Sequence, residues 1–187
     1  MAIVLAGFVV LALVAAWLGA AWRGLVMARD RAEETWAAID RHLAERHRLV
    51  PDLDAAVRAA VPDEASATLE RLNTARAAAL TARTPFERAD AERRLVTALI
   101  LTAALAERHA VLGGSATFVD VQAQLAAVED DLGAARRLYN ADVRLYLRRR
   151  RRRPAAWLAG FGEFPERPYY ELDHTRAQPP TALRLVA

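Results

Sequence analysis

A chain of 187 residues with a formal net charge of +3 suits one domain with an anchor. It holds no cysteine, which excludes disulfides, thiol catalysis, thiolate metal sites and lipidation on cysteine. All 26 basic residues are arginine in an alanine-rich background, a pattern of GC-rich coding rather than chemistry; six of them form a run at 148–153, so the remainder sums to 3 − 6 = −3.

Residues 2–22, AIVLAGFVVLALVAAWLGAAW, contain 21 residues without a charge. As a helix they cover roughly 30 Å, the hydrocarbon thickness of a bilayer. Trp17 and Trp22 lie toward the end, where amphipathic rings prefer the interface. A cleaved signal peptide is the competing reading. The run is long for one, and no basic residue precedes it. Arg23, Arg29 and Arg31 follow the stretch, so the positive-inside rule predicts a single-pass cell-membrane protein, N-terminus out and main domain cytoplasmic. The opposite orientation is the alternative.

Over 27–60 apolar residues recur with heptad spacing at Trp36, Ile39, Leu43, Val50, Leu53, Val57 and Ala60. This predicts a long amphipathic helix, continuous with the span or close to it, kinked at Pro51. Pro62-Asp63-Glu64 reads as a restart, with a second helix near 63–82 carrying Leu69, Leu72 and Leu80. Thr84 as N-cap and Pro85 at the first helical position open a third helix near 85–110. Its apolar run at 95–106 is too short to span a bilayer, and is expected to be covered by neighbours on both sides. After LGGSAT, Thr117 and Asp120 suggest a capping box. The fourth helix has a stripe at Phe118, Val121, Leu125, Val128, Leu132, Ala135, Tyr139, Val143 and Tyr146, and no strand-like alternation occurs anywhere.

The expected fold class is therefore all-α: an N-terminal transmembrane helix (1–24), an antiparallel up-down four-helix bundle with coiled-coil-like seams (25–147), a polyarginine juxtamembrane run (148–153) and an aromatic, Pro-containing tail (154–187).

Three groups of residues carry a family pattern. The first is Trp36, Ile39, Asp40, Leu43, Arg46, His47, Leu49, Val50, Pro51 and Leu53; the second is Thr74, Ala75 and Arg76. The third is Phe118, Gln122, Leu125, Glu129, Ala135, Arg136, Arg137, Tyr139 and Asn140, followed by the tail PAAWLAGFGEFPERPYYE. From about residue 29 to 171 the chain resembles the LemA family. The resemblance implies an N-terminal membrane helix and a helical bundle, with no established enzymatic activity; some relatives are linked with magnetosome membranes. The chain departs from the pattern at Glu45, at Asp52, at His109-Ala110 and in its arginine run.

No catalytic, cofactor or metal residue stands out. His42 and His47 are five apart, about 140° around a helix, and are expected to be solvated or stacked rather than ligands. His109 and His174 join no motif, and no GxSxG, P-loop or GxGxxG occurs. Arg46, Arg76, Glu107, Glu129 and Arg136 stand within otherwise apolar helices. They form a buried ion network, line a ligand cleft, or snorkel from stripe edges, and the last is the expectation because buried charges are rare.

In an antiparallel bundle the fourth helix ends where the first begins, at the membrane. Arg148, Arg149, Arg150, Arg151, Arg152 and Arg153, with Trp157, are then candidate contacts for anionic lipid head groups. Phe161 and Phe164 read as further interfacial aromatics or as a flap. A nucleic-acid grip conflicts with the −3 remainder, while a solvated, functionless run is the bland alternative. The expected function is a non-enzymatic scaffolding or envelope-organising role through lipid and protein contacts, with a second copy of the chain among the partners considered. The alternative is a membrane-tethered ligand sensor or an enzyme with a polar cleft in the bundle.

Overall fold

A computed structural model describes residues 1–160, 162 and 164–170. Among the described residues there is no strand, and the helices are α1 (Ala2–Ala60), α2 (Pro62–Thr81), α3 (Pro85–Arg108), α4 (Ala110–Gly113), α5 (Ala116–Arg151) and α6 (Ala155–Leu158). The apolar stretch and the first amphipathic segment are one helix, α1, which runs through Pro51 on an exposed face. Residues 1–17 are exposed and burial begins at Leu25, so α1 opens with a stretch long and apolar enough to cross a membrane.

The described residues divide into two compact units. In 41–132 a core of Leu49, Val50, Leu53 and Val57 from α1 meets Leu69 and Leu72 from α2, Leu95 and Leu105 from α3, and Phe118, Val121, Leu125 and Val128 from α5. The restart at Pro62 and the cap at Thr84 occur as expected. Thr84 Oγ1 accepts from the Glu87 N–H, and Glu87 reaches back to the Thr84 N–H, closing a capping box. At α5 the expected box is absent: Ser115 Oγ accepts from the Phe118 N–H at 3.4 Å, and Thr117 lies inside the helix. Leu80 is also not a core residue, at 55% exposed, because the buried face of α2 ends on Ala75 and Ala79. The apolar run of α3 is covered on one side rather than all round, with Leu95, Ala98, Thr102 and Leu105 buried and Leu101 open. α3 ends at Arg108, and the short α4 follows it.

In residues 1–40 with 133–170, Leu25, Ala28, Tyr146, Ala155 and Phe164 form a second cluster. Along the α5 stripe all positions are buried except Ala135, which is half-buried.

Candidate functional site

Within residues 41–132, α1 carries Arg46 with a fully buried side chain between two carboxylates. Its Nη1 donates to Glu129 Oε1 on α5 at 2.6 Å and its Nη2 to Glu92 Oε2 on α3. His47 Nε2 lies 3.0 Å from Glu92 Oε1, and Arg76 Nε on α2 donates to the His47 carbonyl at 2.8 Å. The cluster therefore ties all four long helices of this unit together. Burial alone would raise the Glu92 carboxyl, but the His47 contact and the Arg46 charge outweigh it and hold the group below the usual carboxylate range. For Arg46, burial opposes the charge and is outweighed by Glu129 and Glu92, so the guanidinium is raised and stays protonated.

These positions correct two expectations. Arg46 does not snorkel, and His47, at 7% exposed, is neither solvated nor stacked but part of the ionic cluster. Glu107 is exposed, Arg136 is half-buried on α5, and His42 and His109 are half-buried outside the cluster. Glu92 went unread in the sequence. Its signal was an acid in the register of Leu95, Leu99 and Thr102, three, seven and ten residues on. An open groove of about 590 Å³ lies between α2 and α3, lined by Glu70, Thr74, Asp90, Arg93, Thr97 and Leu101; none of the cluster residues borders it.

Within residues 1–40 and 133–170, the arginine run closes α5. Arg149 Nη1 donates to the Gly24 carbonyl at 2.6 Å, two residues past Trp22. Arg148, Arg149, Arg151, Arg152 and Arg153 are exposed, and the Arg153 guanidinium lies 5.4 Å from the exposed Trp157 ring. Arg150 differs: it donates to the Phe164 carbonyl and pairs with Glu166 at 2.8 Å. Phe164 packs edge-on to Trp22 at 5.1 Å, while Phe161 and His174 lie outside the described residues. Residues 164–170 form a strap: Tyr146 and Tyr139 hydroxyls donate to the Pro165 and Pro168 carbonyls, and Asn140 bonds both the N–H and the carbonyl of Tyr170.

The family model of LemA matches residues 35–182, most of the chain. The chain belongs to the LemA family. Among curated proteins none matches it. Of the residues that carry the LemA pattern, Arg46, His47, Arg76 and Glu129 meet in the ionic cluster, whereas Trp36, Tyr139 and Asn140 meet at the strap. In this LemA chain the pattern thus marks two local assemblies rather than one open pocket. Among the described residues no group of His, Asp and Glu has metal-binding geometry.

Proposed function

We propose that the chain is a single-span protein of the cell membrane whose helices form an antiparallel four-helix bundle on the cytoplasmic side. Its role is non-enzymatic, scaffolding or envelope-organising, exercised through anionic lipid and protein contacts. The hydrogen bond from Arg149 to the Gly24 carbonyl carries this reading, because it joins the arginine run to the end of the apolar stretch. Arginines at a helix C-terminus complement its exposed carbonyls. Each of the exposed ones, near an anionic leaflet, contributes on the order of 1 kcal/mol, screened by salt. The Arg153–Trp157 pair suits the head-group layer, where an amphipathic ring and a cation are both stable.

The antiparallel arrangement draws support from the order of partners: Leu25 shares a cluster with Tyr146, and the Trp36 ring meets the Tyr139 ring at a tilt, so partners descend α5 as α1 ascends. Four helices feeding one core in 41–132 support the bundle. A catalytic or sensing cleft would expose its charges to a ligand. Full burial of Arg46 between carboxylates favours the scaffold over that alternative.

The test is lipid retention by the full chain purified from membranes. Native protein should hold phosphatidylglycerol over phosphatidylcholine, and replacing residues 148–153 by Gln should abolish that preference; an unchanged preference overturns the lipid reading. For orientation, Arg83→Cys should react with an impermeant thiol reagent only after lysis. Labelling in intact cells inverts the topology.

A further inference from the structure

Six identical arginines in a row are interchangeable until a helix register separates them, and α5 does so for the first four. At about 100° per residue, Tyr139, Val143, Tyr146 and Arg150 fall within about 60° on one side of the helix. Arg148 lies about 180° from Tyr139, Arg149 about 80° to one side and Arg151 about 120° to the other. Arg150 therefore extends the buried stripe of Tyr139, Val143 and Tyr146 by one more step of four.

Burial and bonding follow the register. The Arg150 side chain is 27% exposed, whereas the other five arginines are fully open to solvent by class. Its Nε donates to the Phe164 carbonyl at 2.9 Å and its Nη1 to Glu166 Oε1 at 2.8 Å. On the same side of α5, the Tyr146 hydroxyl donates to the Pro165 carbonyl at 2.8 Å and the Tyr139 hydroxyl to the Pro168 carbonyl at 3.1 Å. Arg150 thus holds the start of the 164–170 segment. Phe164 is buried and packs edge-on to Trp22, so holding its carbonyl also fixes where that ring sits.

A lysine could not replace Arg150. Two nitrogens of one planar guanidinium reach a carbonyl and a carboxylate two residues apart, whereas an ammonium is a single point charge. A lipid phosphate makes the opposite demand: charge near the surface suffices, and either cation supplies it. We infer that the arginine run carries two functions: Arg150 positions the 164–170 segment, and contact with anionic lipid belongs to Arg148, Arg149, Arg151, Arg152 and Arg153. The second half rests on the lipid reading above, and the first does not. The Arg150 charge is already set against Glu166. Arg149 still counts among the lipid contacts, because the Gly24 carbonyl takes one of its five N–H donors and leaves its charge uncompensated.

The experiment substitutes the run one position at a time in the full chain purified from membranes. Two quantities are read: amide exchange at Glu166 and Arg167, and retention of phosphatidylglycerol over phosphatidylcholine. Arg150→Lys keeps the charge and should accelerate exchange roughly tenfold with lipid retention unchanged. Arg151→Lys should alter neither. Arg150→Gln should accelerate exchange and leave the lipid preference as it was, whereas Arg151→Gln should lower that preference up to about fivefold and leave exchange alone. Native exchange in Arg150→Lys overturns the positioning role. A fall in lipid preference for Arg150→Gln as large as that for Arg151→Gln overturns the division. Should both Arg150 variants lose their helical circular dichroism, Glu166→Gln, which leaves α5 intact, replaces them, and exchange at the native rate there overturns the positioning role. If replacing all six arginines by Gln leaves the lipid preference unmoved, the lipid reading falls and the division with it, while exchange still decides what Arg150 holds.

Discussion

Residues 41–132 are held by aliphatic side chains around one buried charge cluster, whereas residues 1–40 with 133–170 are held by aromatic rings and hydrogen bonds to backbone carbonyls. Aliphatic packing is undirected and tolerates sliding, so a fully enclosed guanidinium between two helices supplies a register that Leu and Val alone leave loose. Carbonyl-directed bonds are the reverse: they define geometry well, but each adds only a modest net stability. The comparison teaches that one unit is fixed by enclosed packing and the other by bonds directed at the backbone of the 164–170 segment.

The largest expected effect breaks the charge cluster. Arg46→Ala leaves Glu92 buried without its cation and should lower unfolding stability by about 3–5 kcal/mol in denaturant titrations. Arg46→Met combined with Glu92→Leu should lose markedly less, because no charge is stranded. A loss below about 1 kcal/mol for Arg46→Ala would erase the distinction between the units.

Core truncation comes next. Leu132→Ala, at a residue 1% exposed, should cost about 2–5 kcal/mol. Asp130→Asn and Ala127→Ser, on exposed positions of the same helix, should stay within about 0.5 kcal/mol. Equal losses at both sets would mean that the stripe is not a core.

The pH dependence sharpens the same contrast. Glu92 is held below its unfolded value, so it contributes stability above the ordinary carboxylate range that is lost as pH falls through the folded value. Thermal melts of the full chain in detergent should therefore steepen in acid, and Glu92→Gln should flatten that acid limb. A limb unchanged by Glu92→Gln would assign it to other carboxylates.

The smallest effect belongs to the strap. Tyr146→Phe removes one hydroxyl from the Pro165 carbonyl and should cost only about 0.5–1.5 kcal/mol in global unfolding. Hydrogen exchange at Arg167 and Tyr169 should nevertheless accelerate, because local release precedes global unfolding. Unaltered exchange there would make the strap as firmly built as the aliphatic unit.

Much of the helical layout was legible, because periodicity, proline and capping act locally. The α5 stripe, the Pro62 restart and the Thr84 cap follow from residues within a few positions of one another. What failed was anything set by distant partners. Glu92 looked like one acid among many in ERADAERR, and its meaning depends on an arginine 46 residues earlier. Leu80 followed the expected apolar spacing in α2, yet its position is uncovered. Ser115 outcompeted Thr117 as the cap of α5, although both offered a hydroxyl. The strap was only half-legible: the aromatic tail suggested a flap, but bonds aimed at carbonyls leave no side-chain pattern to read.

The exposed arginines of the run, of which Arg149 reaches the Gly24 carbonyl, carry a further consequence, whatever coding bias put them there. A guanidinium, unlike an amine, is no substrate for acetylation. The charge of these residues is therefore closed to the modification that neutralises lysine. If the run meets an anionic surface as proposed, ionic strength and the proportion of acidic lipid set the strength of that contact.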